Sequence, residues 1–336
     1  MPTKIAFTIC SNNYLAQAKT LGDSLKKHNP EISFYIGLAD KLNPDIDYSF
    51  FSPHTIVPYE TIGYNTDFDE MVVAYDIVEF NTSVKPFYFE YFFQKENAQN
   101  VLYIDPDIKI FDNLEDITKL FDSFDFILTP HKLYPHVDNL SPFETLVSNV
   151  GIFNFGFLGL KKTKETETFL KWWKNRLKKY CKIDFPNGLF VDQKWADFIP
   201  TFFDKVCILK NPACNMGYWN FDERVLSKVD NKYIVNEKFK LLFFHFSSYN
   251  PLLPEKLCKW LGYSFTERMD LQEIYEDYRI ELMENKYDFF ERKLPLIELN
   301  KNHQTLGEQQ QKPSIKQKVG VFLKKNIDLI FETNKS

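Results

Sequence analysis

Two aspartates separated by a single proline stand in the middle of the chain, directly after a short apolar run. Residues 101–104 read Val-Leu-Tyr-Ile, which is typical of a strand covered on both faces, and Asp105, Pro106 and Asp107 follow. Proline removes a ladder donor and keeps the residue before it extended, so the strand ends here. In open α/β sheets, ligands bind at the carboxyl ends of strands. Two carboxylates that point the same way repel each other unless a cation lies between them. A divalent ion that also holds phosphates meets that need.

Two other interpretations of the Asp-Pro-Asp motif stay open at this point. The same residues after a strand are ordinary turn chemistry. The nucleophile of a phosphohydrolase also lies in an Asp-x-Asp sequence after a hydrophobic strand, but it usually opens its domain and is followed at once by Thr or Val. Here Ile-Lys follows Asp107, far from the start of the chain.

The composition narrows the classes of function. The chain has 336 residues, of which 44% are hydrophobic and 26% charged, enough for one large α/β domain with an appendage or two small domains. Its net charge of −5 disfavours nucleic acid as a partner. Glycine is scarce, at 11 residues, and neither GxGxxG nor GxxxxGK[ST] occurs. A dinucleotide-dependent or P-loop enzyme is therefore disfavoured, and a metal is left to hold any phosphate.

The cysteines and the N-terminus bear on location. The five cysteines are odd in number and widely spaced, without CxxC, which predicts reduced thiols packed as small apolar residues. The first residues lack a signal-peptide pattern, and no apolar run approaches the roughly 18 residues of a membrane span. We expect a cytoplasmic protein.

The first 38 residues predict a β–α–β unit. Strands are expected over residues 4–10 and 32–38, with an amphipathic helix over 14–28 between them. Such a unit predicts a parallel pair with a right-handed crossover. The end of the first strand, with Thr8 and Asn12, then lies on the same sheet edge as the aspartates and suits hydrogen bonding to a base or ribose. The alternative is that Asn12 only caps the helix.

Two helices are expected before the central strand, over residues 66–80 and 82–93. Asn81 and Thr82 are expected to break the first and cap the second. Lys85 precedes a proline at the first turn of the second helix, where its ammonium and the helix dipole favour an anion.

The apolar run 150–160 is interrupted by Asn154, Gly156 and Gly159. Glycine within a strand indicates close approach of a ligand or of another backbone. A buried Asn154 needs hydrogen-bond partners, which a sugar hydroxyl or the backbone of a β-bulge would supply.

Further polar residues follow a helix expected over 166–180. Asp192 and Gln193 open another short helix, of which Asp192 is alternatively only the N-cap. The loop 211–220 carries Asn215, Tyr218 and Trp219, a combination suited to gripping the apolar faces of a sugar.

A late strand over 240–246 carries His245. In an apolar strand, a histidine is either a satisfied core residue or, if the strand ends at the aspartates, a third metal ligand.

The chain is expected to divide into a catalytic domain over 1–265, a helical extension over 266–299, a flexible linker over 300–313 and an amphipathic helix over 314–336. The last segment is expected to pack on the domain, bind a partner or contact a membrane surface.

The ordered set of motifs over about residues 4–254 resembles the GT-A glycosyltransferases that use nucleotide sugars, especially the retaining, family-8-like bacterial enzymes. The resemblance implies a Rossmann-like, mixed and mostly parallel central sheet flanked by helices. YIDPDI resembles the Asp-x-Asp motif that holds Mn²⁺ or Mg²⁺ on the donor diphosphate, and FFHFSSY resembles the late strand whose histidine completes that site. The implied metal ligands are Asp105, Asp107 and His245.

The same resemblance implies roles for other residues. VDQKW resembles the motif beside the anomeric carbon, and NFGFLGL resembles the strand that lines the sugar pocket. The implied catalytic residues are Asp192 and Gln193; the implied donor-binding residues are Thr8, Cys10, Asn12, Asp76, Lys85, Asn154 and Gly156, beside the metal ligands. The family's Gly and Lys-Pro-Trp after the histidine are absent, so a phosphate contact from that segment is not expected.

The expected function is transfer of a sugar from a nucleoside diphosphate, UDP by expectation, to a hydroxyl of a bacterial surface glycan or glycolipid, as a hexosyltransferase-like enzyme with retention. One alternative is a sugar-nucleotide nucleotidyltransferase, although residues 8–14 lack the glycine- and basic-rich loop that it needs. The other is a catalytically silent glycan-binding or scaffold module.

Overall fold

A computed structural model describes residues 4–137, 142–259 and 263–297. The helices are α1 Leu15–His28, α2 Asn65–Ala74, α3 Ile77–Ser83, α4 Lys85–Gln94, α5 Glu115–Lys119, α6 Pro142–Val150, α7 Lys164–Tyr180, α8 Ile199–Phe202, α9 Gln272–Glu284 and α10 Tyr287–Phe290. The strands are β1 Lys4–Cys10, β2 Ser33–Leu38, β3 Thr55–Pro58, β4 Asn100–Ile104, β5 Ile108–Ile110, β6 Phe126–Pro130, β7 Phe153–Lys161, β8 Ile183–Asp184, β9 Leu189–Phe190, β10 Val206–Ile208, β11 Leu226–Val229, β12 Lys232–Val235, β13 Phe239–Lys240 and β14 Phe243–His245.

A seven-stranded sheet in the order β10-β6-β7-β4-β1-β2-β3 forms the centre. All neighbouring strands are parallel except β7, which is antiparallel to both β4 and β6. The expected mixed, mostly parallel sheet flanked by helices is therefore confirmed. The first unit, β1-α1-β2, has the predicted parallel pairing.

Both faces of the sheet are buried, as the apolar runs in its strands require. In β1, Ile5, Phe7 and Ile9 pack into the core formed with α2, α3, α4 and α7. Ala6 and Cys10 point to the other core, which includes α1, α9 and α10. Strand ends are consequently the places where polar side chains can face a cleft.

The segment predicted as two helices with a boundary at Asn81 and Thr82 holds three, because that boundary lies at Val84 and a further break was not predicted. The chain breaks at Tyr75 and Asp76, because the Asp76 side chain accepts from the backbone N–H of Val78 and Glu79 while Glu79 bonds back to the Asp76 N–H. This capping box starts α3. Thr82 lies inside α3 and its hydroxyl donates to the Val78 carbonyl, so it caps nothing.

The predicted late strand over 240–246 is two strands. Phe239–Lys240 pairs with β12 in a small hairpin sheet, whereas Phe243–His245 pairs antiparallel with β5. The predicted strand over 150–160 begins only at Phe153, because Gly151, at φ 116°, follows the end of α6.

The last described helices, α9 and α10, pack beside α1 in the core on one face of the sheet. Tyr278 of α9 stacks on Phe246 with ring centroids 3.8 Å apart. Beyond α10, the backbone N–H groups of Leu296 and Ile297 donate to the buried Asp40 carboxylate. The linker and helix predicted over 300–336 lie outside the described residues. Within the described part of the chain, no helix is both long and apolar enough to cross a bilayer.

Removing the N-cap of α7 should destabilise the fold. The Thr163 hydroxyl accepts from the Thr166 N–H and donates to Asp125, so Thr163→Ala should lower the free energy of unfolding by about 1 kcal/mol. Thr168→Ala on the same helix, where the exposed hydroxyl bonds only the Lys164 carbonyl, is the matched control. Urea denaturation of both variants measures this, and equal losses would contradict the capping role.

Candidate metal centre

Three side chains that can ligate a metal meet where β4 and β14 end and β5 begins. The pairing of β14 with β5 sets His245 opposite Ile108, and the Phe246 N–H donates to the Asp107 carbonyl. His245 Nε2 lies 3.0 Å from Asp107 Oδ1 and 3.8 Å from Asp105 Oδ2. The ligand atoms of this triad, Asp105, Asp107 and His245, all lie within 4.8 Å of one another.

The charges of the triad depend on one another. Burial lowers the pKa of His245, but the carboxylates of Asp107 and Asp105 outweigh it, so that this pKa is raised. Desolvation raises the pKa of Asp105 against the opposing effect of Lys85 and His245, and the Asp107 charge adds to the rise. Two carboxylates and one imidazole suit a divalent cation that accepts oxygen and nitrogen ligands, such as Mn²⁺ or Mg²⁺. The donor set therefore fits the metal that the motif predicted.

A buried ion pair continues the site beyond the triad. Lys85 Nζ lies 2.5 Å from Asp192 Oδ2, with only 2% of each side chain exposed, and donates to the Phe155 carbonyl at 3.1 Å. The same ammonium lies 4.0 Å from the centre of the Tyr103 ring, whose hydroxyl donates to Asp105 Oδ1 at 2.5 Å. Asp192, Lys85, Tyr103 and the triad thus form one continuous polar site.

This pairing bears on the interpretations of Asp192 and Lys85. Asp192 precedes the 3₁₀ helix Gln193–Phe198 but makes no capping bond to it, so the N-cap interpretation is wrong. Burial raises the pKa of Asp192, and the Lys85 ammonium opposes the rise. Lys85 lies at the first turn of α4, as predicted, yet its ammonium is occupied by Asp192 and the Phe155 carbonyl.

Gln193 and Asn154 hold β7 in place. Gln193 Oε1 accepts from the Phe155 N–H at 3.1 Å, and its Nε2 donates to the Val150 carbonyl at 3.0 Å. Asn154 Oδ1 accepts from the Gly156 N–H at 2.9 Å. The pairing of β6 with β7 shifts register next to Asn154, as the bulge alternative predicted.

Gly156 is where the backbone of β7 lies closest to the triad. A Cβ built on Gly156 would lie 2.5 Å from His245 Cε1 and 2.7 Å from Asn154 Oδ1. The sequence predicted that a ligand or another backbone lies close to this glycine. The group that lies close is a side chain of the site, His245.

The residues expected to hold the nucleotide lie at the end of β1, but several are engaged. Asn12 Nδ2 donates to Asp40 at 2.7 Å and to the Lys41 carbonyl, while Asn12 Oδ1 accepts from Tyr48 at 2.7 Å. Cys10 is buried, which raises the pKa of its thiol. The buried Thr8 hydroxyl has no hydrogen-bond partner among the described residues.

The loop expected to grip a sugar instead lies largely behind the triad. Asn215 and Trp219 are buried, and the edge of the Trp219 ring system meets His245 with centroids 5.0 Å apart. Tyr218 is partly exposed.

Tyr103 and Thr129 also belong to the site, although neither was predicted in it, and so does His131. Tyr103 stands two residues before Asp105 on a strand, a spacing that puts both on one face and was a usable signal. Thr129 lies in β6 and His131 directly follows that strand, and both reach the site through Asn154 and Asn215.

Comparisons with known proteins come from sequence and from structure. No protein-family model matches the chain. YfnF of Bacillus subtilis strain 168 is 27% identical over 212 residues, covering 61% of this chain and 67% of YfnF. YfnD of the same organism is 24% identical over 288 residues, covering 82% of this chain and 87% of YfnD.

Among solved structures, the glycosyltransferase GlyE of Streptococcus pneumoniae TIGR4 is 16% identical with a TM-score of 0.49, covering 88% of this chain and 66% of the GlyE chain. The galactosyltransferase LgtC, solved with donor and acceptor sugar analogs, is 15% identical with a TM-score of 0.48, covering 87% of this chain and 98% of the LgtC chain. Sugar transfer is the activity that these names state.

Adding one methyl group at Gly156 should disturb the site. Gly156→Ala should cost about 1–3 kcal/mol of unfolding free energy, because His245 or β7 must shift to make room. Gly159→Ala on the same strand, where the nearest atom is Phe121 Cζ at 3.0 Å, should cost less. Chemical denaturation measures both, and a harmless Gly156→Ala would contradict the packing described.

His131 should make the folded chain sensitive to acid. Burial lowers the pKa of His131 to about 4, whereas the unfolded chain binds the same proton near 6.5. Stability should therefore fall as the pH falls from 6.5 towards 4, by up to about 3 kcal/mol, since one pKa unit corresponds to about 1.4 kcal/mol. His131→Gln should lack this part of the pH dependence. Unfolding free energies at pH 7, 5.5 and 4.5 test this, and parallel pH profiles for wild type and variant would contradict it.

Proposed function

We propose that the chain is a metal-dependent glycosyltransferase of GT-A type that moves a sugar from a nucleoside diphosphate sugar, a UDP-sugar, to a hydroxyl of a bacterial surface glycan or glycolipid. The observation that carries the proposal is the triad of Asp105, Asp107 and His245, which continues through Tyr103 and Lys85 to the buried Asp192. The candidate cation site and a buried carboxylate are thereby linked beside the carboxyl ends of β4 and β14.

The metal side of the site would serve the leaving group. Asp105, Asp107 and His245 would hold Mn²⁺ or Mg²⁺, which supplies charge neutralisation for the departing diphosphate. Tyr103 donates to Asp105 Oδ1 and so holds one of its oxygens, leaving Oδ2, the oxygen nearer His245, for the metal.

The carboxylate side would serve the sugar. Lys85 fixes Asp192 and favours its ionised form, so that a negative charge is available beside the sugar as positive charge develops at its anomeric carbon. Gln193 bonds to the Phe155 N–H and the Val150 carbonyl and would hold β7 in place as the wall of the sugar pocket, while Gly156 leaves the space that His245 occupies. With retention, a leaving phosphate oxygen can take the acceptor proton, and the site then needs no separate strong base.

The remaining residues would serve recognition. We assign Thr8 to the nucleotide, because its hydroxyl has no partner among the described residues. Cys10, Asn12 and Asp76 would shape the nucleotide pocket, because the first is buried and the other two are hydrogen-bonded within the protein. Tyr218 is the partly exposed aromatic residue of the loop and would meet the acceptor or sugar, with Trp219 supporting it at a centroid distance of 5.1 Å. A cytoplasmic enzyme working at the inner face of the membrane fits such an acceptor.

The proposal predicts that UDP binding requires the metal. By isothermal titration calorimetry, wild type should bind UDP with Mn²⁺ present and lose at least tenfold in affinity when EDTA removes the metal. Asp107→Asn should lose a similar factor, because one anionic ligand is gone. Asp116→Asn, with 98% of that side chain exposed on α5, is the control and should bind as wild type does.

A panel of UDP-sugars then separates an enzyme from a silent module. Wild type should release free UDP slowly from one of them, and Asp107→Asn should not. Metal-independent UDP binding, or unchanged binding in Asp107→Asn, would contradict the proposed metal site. Tight binding without UDP release, with glycan acceptors present, would favour a silent module.

A further inference from the structure

The two nitrogens of His245 face different partners. Nε2 points at the carboxylates, 3.0 Å from Asp107 Oδ1, and Nδ1 lies 3.1 Å from Asn215 Oδ1. A neutral imidazole carries its proton on only one nitrogen, and only the other nitrogen has a lone pair to offer a metal. His245 can therefore ligate a metal through Nε2 only if a neighbouring group keeps the proton on Nδ1.

The backbone N–H of Gly156 determines which nitrogen of His245 carries the proton, through hydrogen bonds that run by way of Asn154 and Asn215. The Gly156 N–H can only donate, so the Asn154 atom 2.9 Å from it is the carbonyl oxygen Oδ1. The Asn215 atom 3.0 Å from that oxygen must then be the amide nitrogen, which also donates to Thr129 Oγ1 at 2.9 Å. The remaining atom of the Asn215 amide is Oδ1, which only accepts, so His245 must donate from Nδ1.

The other end of the network agrees with this assignment. Asn154 Nδ2 can only donate, and it lies 3.1 Å from His131 Nε2, which must accept. His131 Nδ1 then carries the proton and faces the Ile152 carbonyl at 3.3 Å. Burial lowers the pKa of His131, which keeps this ring neutral as the network requires.

The backbone around Asn215 is held as firmly as its side chain. Asn215 is fully buried at φ 56°, in the left-handed region that asparagine tolerates better than most residues. Its carbonyl accepts from Asn220 Nδ2 at 3.0 Å. The buried Arg224 donates to the carbonyls of Cys214 and Pro212 at 2.7 and 3.0 Å. The amide is therefore presented to His245 in one orientation.

We propose that Asn215 is a positioning residue for the metal centre: it holds His245 as the tautomer protonated at Nδ1 and turns the free Nε2 towards the two carboxylates. This inference rests on the metal site of the proposed function and reassigns Asn215, which the sequence placed in a sugar pocket. Partners that orient a metal-ligating imidazole typically contribute a factor of about 10–100 in metal affinity.

The test measures binding of Mn²⁺ alone, read from the electron paramagnetic resonance signal of the free ion, in a double-mutant cycle. Asn215→Gly removes the amide and tolerates the left-handed backbone. It should weaken Mn²⁺ binding about 10–100-fold. The same change in a His245→Ala background should weaken binding no further, because Asn215 acts through His245. Asn231→Gly, an exposed asparagine at φ 61°, is the matched control and should bind as wild type does.

Each outcome bears on a different claim. Binding by wild type with equal losses from Asn215→Gly in both backgrounds would show a general structural role and overturn this inference alone. Absence of Mn²⁺ binding by wild type would overturn the proposed metal site and this inference with it.

A measurement that needs no Asn215 variant covers the case in which that variant fails to fold. In ¹⁵N-histidine-labelled wild type with Mg²⁺, nuclear magnetic resonance should show His245 protonated at Nδ1, with His245→Ala identifying the signal. A proton on Nε2 would overturn the inference.

Discussion

Repulsion between two carboxylates in one cleft is the constraint on which the site depends. Asp105 and Asp107 are forced together by one proline at the end of a buried strand, and desolvation makes their shared charge costly. Each neighbouring element supplies a polar group that offsets the repulsion between the carboxylates. These groups are the His245 ring from β14, the Tyr103 hydroxyl from β4 and the Lys85 ammonium from α4. A divalent cation would complete this compensation.

The fold is arranged to hold these groups at fixed positions. The central sheet is buried on both faces, so strand ends have little freedom, and β14 is paired to β5 rather than left as a loop. Behind the triad, a chain of hydrogen bonds of 2.9–3.1 Å runs from the Gly156 N–H through the side chains of Asn154 and Asn215 to His245. The donor and acceptor at each bond are set by the Gly156 N–H, which can only donate. Preorganised groups of this kind need no rearrangement when charge develops in a reaction, which is the chief electrostatic advantage of an enzyme site.

The sequence was sufficient to identify the site residues at strand ends. It was not sufficient to predict pairs of residues that are brought together from distant segments of the chain. The aspartates and His245 could be predicted to meet from the resemblance of their motifs to the GT-A enzymes, although the strand that carries His245 pairs with β5 outside the central sheet. The pairing of Lys85 with Asp192 could not, since it joins segments more than a hundred residues apart and local sequence favours an anion site and a helix cap instead. Asn12 was predicted as a ligand contact, but its partners Asp40 and Tyr48 are set by loop packing that no periodicity encodes. The break at Asp76 was missed because an apolar periodicity across it outweighed a capping box that the sequence does contain.

The most direct test of the account is to locate the cation. Crystals of wild type grown with Mn²⁺ and UDP should show, in an anomalous difference map recorded near the manganese edge, one strong peak in contact with Asp105, Asp107 and His245 Nε2. The diphosphate should complete the coordination of that ion. A manganese peak elsewhere, or UDP bound with no peak at the triad, would contradict the account.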